Sequence, residues 1–178
     1  MSLEKLIDLT DAARAGMDDA AFWASCTTAL SDVGVTGVGY GIIPYRSDAT
    51  VRGFTKAGFF RHTYSSDWSA AVEANALVDD DISVELIANG MPEVLWNDDS
   101  LLEHATEPQQ LQSELEGDLG MKYGASLSLN RNNAGQAISG IGLWVGDPTS
   151  DGEFSRYWEA HRSTLRRLSF AMDEGIRR

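Results

Sequence analysis

The sequence has few basic residues. Its 178 residues include 14 lysines and arginines against 27 aspartates and glutamates, for a formal net charge of −13. Nucleic-acid-binding proteins concentrate lysine and arginine because those residues neutralise phosphate, whereas an acidic surface repels it. The balance therefore argues against DNA or RNA binding by this chain alone, and we expect no nucleic-acid partner for it.

Cysteine and long apolar segments are also scarce. With a single cysteine, Cys26, no internal disulfide can form, and low cysteine usage is typical of a reducing compartment. No run approaches the roughly 18 consecutive apolar residues that a membrane-spanning helix needs, and the acidic start does not fit a signal peptide. With 43% hydrophobic residues, the chain is predicted to be one globular cytoplasmic domain, residues 1–178, without a membrane partner.

Motifs for catalysis and metal binding are missing from the sequence. The three histidines are scattered, and neither a G-x-S-x-G nor an H-E-x-x-H pattern occurs. Cys26 lies on the apolar face of a predicted helix, which favours a buried thiol over a nucleophile. The acidic run 79–81 does not begin an EF-hand, because Val84 and Gly90 stand where that motif requires glycine and glutamate. The sequence thus predicts no enzyme, no metal and no cofactor.

Hydrophobic periodicity predicts alternating helices and strands. The predicted helices are residues 3–16, Asp18–Val33, one starting at Asp67, one starting at Asp81, Ser100–Leu119 with a break at Pro108, and one starting at Ser150. The predicted strands are Val35–Pro44, Thr50–Phe60, Ala125–Arg131 and Ala137–Gly146. This order predicts an α/β (α+β) fold of the PAS/GAF-like kind, an α-β-α sandwich with a central, mostly antiparallel sheet.

The last predicted helix differs in charge from the rest of the chain. Residues 151–178 hold six arginines against five acidic residues, whereas residues 1–150 hold 8 basic and 22 acidic residues, a net charge of −14. Apolar residues recur there at spacings of three and four, which makes a stripe suited to packing on a partner surface. The stripe comprises Phe154, Trp158, His161, Leu165, Leu168 and Met172. A second subunit is one candidate for that surface, and we expect a homodimer.

Glycines alternate along the first predicted strand, at Gly37, Gly39 and Gly41. No helix N-terminus follows them, so they do not form a phosphate-binding loop. Glycine inside a strand instead favours the close approach of another backbone or of a ligand.

The segment that follows this strand contains three aromatic residues with hydrogen-bonding groups and one carboxylate. They are Tyr64, Trp68, Trp96 and Asp81. Tyr64 and Trp68 are four apart and would share a helix face if a helix begins early enough. Together the four could line an apolar pocket that fixes a ligand bearing carbonyl oxygens and an N–H. Composition alone favours the alternative, in which the aromatics are ordinary core and Asp81 caps a helix.

The spacing Tyr64-x3-Trp68-x12-Asp81-x14-Trp96 resembles the ligand signature of the autoinducer-binding domain of LuxR-type quorum-sensing regulators. All four residue types and all three spacings match, and the resemblance covers almost the whole chain. Flanking features that agree with it are the strand Tyr40–Pro44, Pro92 and the segment Gly120–Gly124. The resemblance implies an α-β-α fold and a small-molecule partner, an N-acyl homoserine lactone.

The resemblance also implies a role for individual residues of this sequence. Trp68 would donate its indole N–H to the lactone carbonyl, Asp81 would accept the ligand's amide N–H, and Tyr64 would donate to the acyl carbonyl. Trp96 would pack against the lactone ring, and Ser126 would lie near the same amide.

Other positions would follow the acyl chain. Gly41, Ile43 and Met121 would lie along the acyl-chain tunnel. Val72 stands where family members often carry an aromatic that packs on the acyl chain, so this candidate contact leaves extra space. Ile82 replaces the proline that usually follows the family's aspartate. Because of such departures, a small ligand other than a lactone stays open.

Three alternatives stay open. One is a PAS- or GAF-like sensor of a non-lactone metabolite, and another is an enzyme such as a lactonase or acyltransferase. The third is a regulator without a helix-turn-helix domain that pairs with other LuxR-type proteins. Family regulators carry that DNA-binding domain after the ligand domain, about where this sequence ends at Arg178, so we expect none within residues 1–178.

Overall fold

The computed structural model describes residues 11, 16–44, 58–74, 81–132 and 137–177. The chain divides into two compact units, one joining Met1–Thr36 with Asp147–Arg178 and the other spanning Gly37–Gly146. In chain order the elements are α1 (Asp19–Ser31), β1 (Gly37–Pro44), β2 (Phe59–His62), α2 (Ser66–Ala74), α3 (Ile82–Ala88), β3 (Glu93–Leu95), a 3-10 helix (Asp99–Leu102), α4 (Glu107–Asp118), β4 (Gly124–Asn132), β5 (Ala137–Trp144) and α5 (Asp151–Ile176). The helix predicted for residues 3–16 falls almost wholly outside the described residues.

The first unit pairs α1 with α5. The Asp18 side chain caps α1 by accepting hydrogen bonds from the backbone N–H groups of Ala20 and Ala21, each at 3.2 Å. The Tyr157 hydroxyl of α5 donates to the Val33 carbonyl oxygen just after α1, at 2.9 Å. Cys26 is buried within α1, and burial raises the pKa of its thiol to about 12. The thiol therefore stays protonated near neutral pH and is no nucleophile, as its position on the apolar face predicts.

The long helix α5 buries the apolar stripe expected from its sequence. Its start is capped by Ser150, whose hydroxyl accepts from the Glu153 N–H at 3.3 Å. The stripe residues are buried within the single chain, except His161, which is half-buried with its ring 4.8 Å from that of Tyr157. A stripe that is covered in this way is not free to meet a second subunit, so the expectation that this surface forms the dimer contact is wrong, and the homodimer itself stays a prediction. None of the helices in the described part of the chain is both long and apolar enough to cross a membrane.

The second unit is built on a five-stranded sheet with strand order β2-β1-β5-β4-β3. Every neighbouring pair is antiparallel, and the β4–β5 pairing confirms the predicted hairpin strands. A register shift between Ser128 and Asn130 puts a bulge in β4. Helix α3 packs on β3, β4 and β5, and α2 packs on α4. The predicted α+β class with a mostly antiparallel sheet is confirmed.

Several element boundaries differ from the predicted ones. The strand predicted for Thr50–Phe60 is observed as Phe59–His62, and residues 50–57 lie outside the described part of the chain. Asp67 does not cap α2, because the hydroxyl oxygen of Ser65 accepts from the Trp68 N–H at 3.2 Å. The cap therefore lies two residues earlier than predicted, and Asp67 stands in the first turn.

The predicted helix from Ser100 to Leu119 is two helices. Asp98 caps the 3-10 helix by accepting from the Ser100 N–H at 3.0 Å, so the cap is Asp98 and not Ser100. The second helix, α4, is capped at Thr106, whose backbone N–H donates to the Gln109 side chain at 2.9 Å. Pro108 lies in the first turn of α4 and does not break a longer helix, because proline fits the start of a helix, where its missing N–H has no partner to lose.

Candidate ligand-binding site

Paired glycines of β1 and β5 form the floor of the candidate site. Gly39 pairs with Gly142 across the two strands, and Gly41 pairs with Gly140. A Cβ atom at Gly39 would lie 2.8 Å from the Tyr64 hydroxyl oxygen, and one at Gly142 would lie 2.9 Å from it. The tyrosine ring thus fills space that any larger residue would occupy. These glycines do permit a close approach, but at Gly39 what approaches is the Tyr64 side chain and not the backbone or ligand that the sequence predicts.

Trp96 lies over another glycine of the sheet, Gly124 of β4. Any Cβ at Gly124 would overlap the Trp96 ring, so only glycine fits beneath it. The indole N–H of Trp96 donates to the Ser126 hydroxyl at 2.9 Å. This bond fixes the ring orientation and brings together two residues that lie 30 positions apart in sequence.

Tyr64 and Trp68 meet edge to face, with ring centroids 5.0 Å apart. They do not share a helix face, because Tyr64 precedes the start of α2 at Ser66. The Tyr64 hydroxyl donates to the Gly142 carbonyl oxygen at 3.4 Å. Burial, together with the nearby carboxyl groups of Glu116 and Asp81, raises the pKa of the Tyr64 hydroxyl well above its usual value. Tyr64 therefore stays protonated and acts as a donor.

Asp81 starts α3, as the sequence predicts. Its Oδ1 accepts hydrogen bonds from the backbone N–H groups of Ser83 at 2.7 Å and Val84 at 3.1 Å. Burial raises the pKa of the Asp81 carboxyl, an effect that the Val84 and Ser83 N–H groups and the Gln112 side chain partly offset. Both cap bonds end on Oδ1, so the cap does not use the second carboxyl oxygen. Asp81 is at once a helix cap and a cavity residue.

The cavity between the sheet and the helices α3 and α4 has a volume of about 90 Å³. It brings together most of the residues that the sequence singles out. Those on its wall are Gly41, Ile43, Tyr64, Trp68, Asp81, Trp96, Met121 and Ser126. Val72 is not brought to the wall, because it is buried in a cluster with Trp68 and Met121. The roles of all these residues in ligand binding stay a prediction.

One end of the cavity is aliphatic. Ile43 of β1 pairs in register with Ile138 of β5, two positions along each strand from the glycine pair Gly41 and Gly140. With Ile87 of α3 and Val94 of β3, these two isoleucines form a buried cluster. We call Ile43, Ile87 and Ile138 the aliphatic end. Two of them, Ile87 and Ile138, were not predicted as site residues, although the sequence predicts a helix starting at Asp81 and a strand over Ala137–Gly146.

The other end of the cavity contains polar side chains that sequence reasoning missed. Glu116 of α4 accepts hydrogen bonds at Oε1 from the Trp68 indole N–H at 3.3 Å and from the Gln112 amide at 3.1 Å. Burial and the Asp81 charge raise the pKa of the Glu116 carboxyl to about 7, against the opposing effect of the Gln112 and Trp68 bonds. We call Asp81, Gln112 and Glu116 the polar end. The signal that could have found it is the spacing of four that places Gln112 and Glu116 on one helix face.

A second cavity of about 270 Å³ adjoins the polar end. It shares Asp81, Trp96, Gln112 and Glu116 with the first cavity. Its other walls are mostly polar and include Asn97, Asp98, Asp99 and Lys122. The polar end thus separates an apolar interior from a more polar space. Within the described residues, no group of three or more His, Cys, Asp or Glu side chains could hold a metal ion.

An antiparallel sheet with a cavity that is apolar at one end and polar at the other is typical of a domain that binds an amphipathic small molecule. Comparison with known families agrees with this class. The sequence profile described as "Autoinducer binding domain" matches residues 18–174. The chain belongs to the autoinducer-binding domain family, and the resemblance to LuxR-type regulators is confirmed. It is therefore a signal-sensing domain of a regulatory family, which is not a family of enzymes.

Solved structures show the same fold. The N-acylhomoserine lactone-dependent LuxR family transcription factor CepR2 from Burkholderia cenocepacia matches with a TM-score of 0.70 and 20% identity over 98% of this chain and 94% of that one. SdiA in complex with octanoyl-rac-glycerol matches with a TM-score of 0.65 and 14% identity over 96% of this chain. Escherichia coli SdiA in another crystal form matches with a TM-score of 0.55 and 14% identity over 90% of this chain. The present chain spans 62% and 65% of those two SdiA chains. A search of curated proteins finds no match.

Proposed function

We propose that this chain is the sensing part of a LuxR-type transcriptional regulator and binds an acylated amphipathic signal, the class to which N-acyl homoserine lactones belong. The observation that carries the proposal is that Asp81 and the three isoleucines lie at opposite ends of the same 90 Å³ cavity. Such a cavity complements a molecule with an amide at one end and a hydrocarbon chain at the other.

The aliphatic end would take the acyl chain. Each methylene group of the chain that is buried there contributes about 0.8 kcal/mol to the binding free energy. This contribution does not depend on the orientation of the methylene group. At about 90 Å³ the cavity is smaller than the roughly 150 Å³ cavity that holds benzene in an engineered protein core. An acyl chain must therefore push wall side chains apart as it enters. Binding is then coupled to a rearrangement of the walls, and the ligand stabilises the folded domain by mass action.

The polar end would take the amide. Asp81 offers the carboxyl oxygen that its helix cap does not use, and a hydrogen bond to a charged group contributes about 1.5–3 kcal/mol. The Tyr64 hydroxyl, which donates to the Gly142 carbonyl oxygen over a long 3.4 Å, would turn from that bond to the acyl carbonyl. Trp96 and Ser126, held together by their hydrogen bond, complete this end of the wall. These roles are those that the family resemblance implies for the same residues.

The structural relatives support an acylated ligand with a variable head group. CepR2 is described as dependent on N-acylhomoserine lactone. SdiA is described in complex with octanoyl-rac-glycerol, which carries an acyl chain but no lactone. We propose that the acyl chain is the common element for this chain too. The enzyme, the PAS- or GAF-like sensor and the pairing regulator are not favoured over this function.

Three further expectations belong to the same proposal. We propose that the domain works in the cytoplasm as a homodimer, that it does not bind DNA by itself, and that it does not hydrolyse its ligand. Phe170, which is 42% exposed on α5, supports a surface for self-association separate from the buried stripe. Light scattering after size exclusion, and incubation with lactone followed by mass spectrometry, test the dimer and the absence of turnover.

Thermal unfolding with and without N-acyl homoserine lactones of short, medium and long chains tests the proposed function. We expect the melting temperature to rise with ligand and to rise further as the chain lengthens, until the cavity is full. Asp81→Ala should abolish the response. If the response survives that change, the site assignment is wrong, and if no acylated ligand shifts the melt, the proposed function is wrong.

Asp81→Ala also removes a helix cap, so a matched control is needed. Asp18 caps α1 through two backbone N–H groups in the same manner but lies in the other unit. Asp18→Ala should lower the melting temperature by a similar amount, since each cap contributes about 1 kcal/mol. Unlike Asp81→Ala, it should leave the ligand-induced shift unchanged.

A further inference from the structure

Two carboxyl groups, those of Asp81 and Glu116, lie on the wall of the 90 Å³ cavity. The Gln112 side chain connects them. It donates to Glu116 Oε1 at 3.1 Å, and its hydrogen bond to Asp81 offsets part of the rise in pKa that burial causes there. No lysine or arginine lies on the wall of this cavity among the described residues. Two negative charges held this close in a desolvated space oppose each other, so the pair favours a state in which one carboxyl keeps its proton.

The environments of the two carboxyl groups decide which of them keeps the proton. Asp81 Oδ1 accepts from two backbone N–H groups, at 2.7 Å and 3.1 Å, which favour its ionised form. Glu116 accepts only from the side chains of Trp68, at 3.3 Å, and Gln112. Burial and the Asp81 charge raise the pKa of the Glu116 carboxyl to about 7. Asp81 is therefore the charged member of the pair, and Glu116 holds its proton up to neutral pH.

Glu116 also lies next to a hydrogen-bond donor of the cavity wall. Its Oε1 is 3.3 Å from the indole nitrogen of Trp68. A ligand oxygen that takes the Trp68 N–H is therefore brought beside the same carboxyl group. An ionised carboxylate has only acceptor atoms and would repel such an oxygen, whereas a protonated carboxyl has an O–H that can donate to it.

We propose that Glu116 binds the head-group carbonyl of the signal as an uncharged carboxylic acid, beside Trp68, and that the domain takes up a proton when it binds its ligand. The inference rests on the proposed function and on the carbonyl-donor role that the family resemblance implies for Trp68. It adds a residue of α4 that recognises the head group, and a dependence of affinity on pH. The proton comes from solvent, and no covalent bond of the ligand changes.

Three effects of the ligand favour the proton on Glu116. The ligand amide donates to Asp81 and so favours the charge that opposes ionisation of Glu116. The acyl ligand displaces water from the cavity, and the Trp68 N–H turns from Glu116 to the carbonyl. Each effect raises the pKa of Glu116 above the value of about 7 that it has without ligand. Because binding raises this pKa, affinity is full below pH 7 and is lost as the pH rises above it.

Other titratable side chains lie on the two cavities or against Trp68. They are His62, Tyr64, Asp98, Asp99 and Lys122. Burial lowers the pKa of His62 and raises that of Tyr64 well above its usual value, so both are neutral above pH 7. Hydrogen bonds from Ser100 lower the pKa of Asp98, which is charged throughout. Asp99 and Lys122 are exposed and lie on the second cavity only.

Isothermal titration with N-(2-oxocyclopentyl)octanamide tests the inference. This ligand has an acyl chain, an amide and a ring carbonyl, but no ester that alkaline solution could hydrolyse. The difference between the heats of binding in phosphate and in Tris gives the number of protons taken up. For a pKa of about 7 we expect about 0.75 proton at about pH 7.5, the fraction of Glu116 that is ionised without ligand. The dissociation constant should rise nearly tenfold between about pH 8 and pH 9.

Glu116→Gln is the decisive variant, because its amide donates at every pH and does not titrate. It should take up no proton, and its affinity should stay constant over the same pH range, at the value that the wild type has below neutral pH. Glu114→Gln is the matched control, since it makes the same charge change at an exposed position of α4. The control should keep both the proton uptake and the pH dependence of the wild type.

N-cyclopentyloctanamide, which lacks only the ring carbonyl, tests the contact itself. The ketone should bind more tightly than this ligand at about pH 6.5, and its advantage should shrink as Glu116 ionises at higher pH. In Glu116→Gln the advantage should be the same at every pH. An advantage that does not change with pH in the wild type overturns the contact between Glu116 and the carbonyl.

The outcomes separate this inference from the proposed function. Wild-type protein that binds the ketone without proton uptake and with one affinity at every pH overturns the inference and leaves the acylated-signal function standing. Binding of neither ligand at about pH 6.5, where Glu116 is protonated, overturns both. Because the wild-type measurements alone can overturn the inference, it stays testable even if Glu116→Gln does not fold.

Discussion

The two ends of the cavity use different physical interactions. At the aliphatic end, Ile43, Ile87 and Ile138 offer apolar surface, whose interaction with a ligand grows with buried area and has little directionality. At the polar end, Gln112 and Glu116 offer hydrogen-bonding groups in fixed positions, where an unmatched group is penalised. This domain would therefore gain affinity from one end of its ligand and discriminate between ligands at the other.

Removing the glycine under Trp96 should have the largest effect and break the polar end. In Gly124→Ala the new Cβ would overlap the Trp96 ring and lie 2.6 Å from the Leu143 carbonyl oxygen, which is backbone and cannot turn aside. We expect the free energy of unfolding to fall by about 3 kcal/mol and the response to ligand to be lost. Urea denaturation and ligand-dependent melting measure the two effects.

The control for this change is Gly117→Ala. A Cβ at Gly117 would meet no atom within 4 Å, and the residue lies inside α4. Alanine favours a helix over glycine by about 1 kcal/mol, so this variant should be slightly more stable than the wild type. Equal losses in both variants would contradict the account of the glycine floor.

The second largest effect concerns the charge at the polar end. The pKa of Glu116 is raised from 4.5 to about 7 in the folded protein. A carboxyl whose pKa is higher in the folded state stabilises the protein below its unfolded pKa, and that stability is lost as the pH rises through the folded pKa. The free energy of unfolding without ligand should therefore fall between pH 4.5 and about pH 7. After allowance for the partial exposure of Glu116, we expect a loss of about 2 kcal/mol.

Glu116→Gln should flatten this pH dependence. Above neutral pH the variant should be more stable than the wild type, because it has no charge to bury. Some slope should remain, since the pKa of Asp81 is raised in the same direction. Denaturant titrations at a series of pH values measure how the free energy of unfolding depends on pH. The same dependence in the variant and the wild type would show that Glu116 does not titrate in this range.

A smaller effect is expected at the hydrogen bond that orients Trp96. Ser126→Ala removes the acceptor that lies 2.9 Å from the indole N–H. The donor would be left partly buried, so we expect a loss of about 1–2 kcal/mol and weaker binding of all ligands. Ser128→Ala, two positions further along β4, is the control and should leave both quantities nearly unchanged. Tryptophan fluorescence would report the altered Trp96 environment directly.

Local patterns predicted the parts of the fold that depend on near neighbours. The spacing from Phe154 to Met172 predicts α5 because positions three and four apart share a helix face. Asp81 was predicted as a helix start because a short acceptor side chain reaches the amides two and three residues on. The alternating glycines of β1 likewise predicted a close contact. The contact itself, with the Tyr64 ring, depends on the folded sheet.

The polar end was not predictable by the same means. Polar side chains on a helix normally indicate a solvent-exposed face, and Gln112 and Glu116 are surrounded in sequence by other polar residues of α4. Their burial follows from the tertiary placement of α4 beside Trp68, which no local pattern encodes. Pro108 was misjudged for a related reason, since a proline can end one helix or begin the next and the neighbouring Thr106 decides.

The smallest effect is expected at the aliphatic end. Ile87→Val removes one methyl group from the aliphatic end, where Ile87 packs in a buried cluster with Ile43 and Ile138. We expect a loss of about 1 kcal/mol in the free energy of unfolding. All acylated ligands should lose affinity by the same factor whatever their head group, because the change is remote from Glu116. Ile82→Val, at a half-buried position of the same helix, is the control. Different losses for acylated ligands that share one tail but differ in head group would show that the two ends do not act separately.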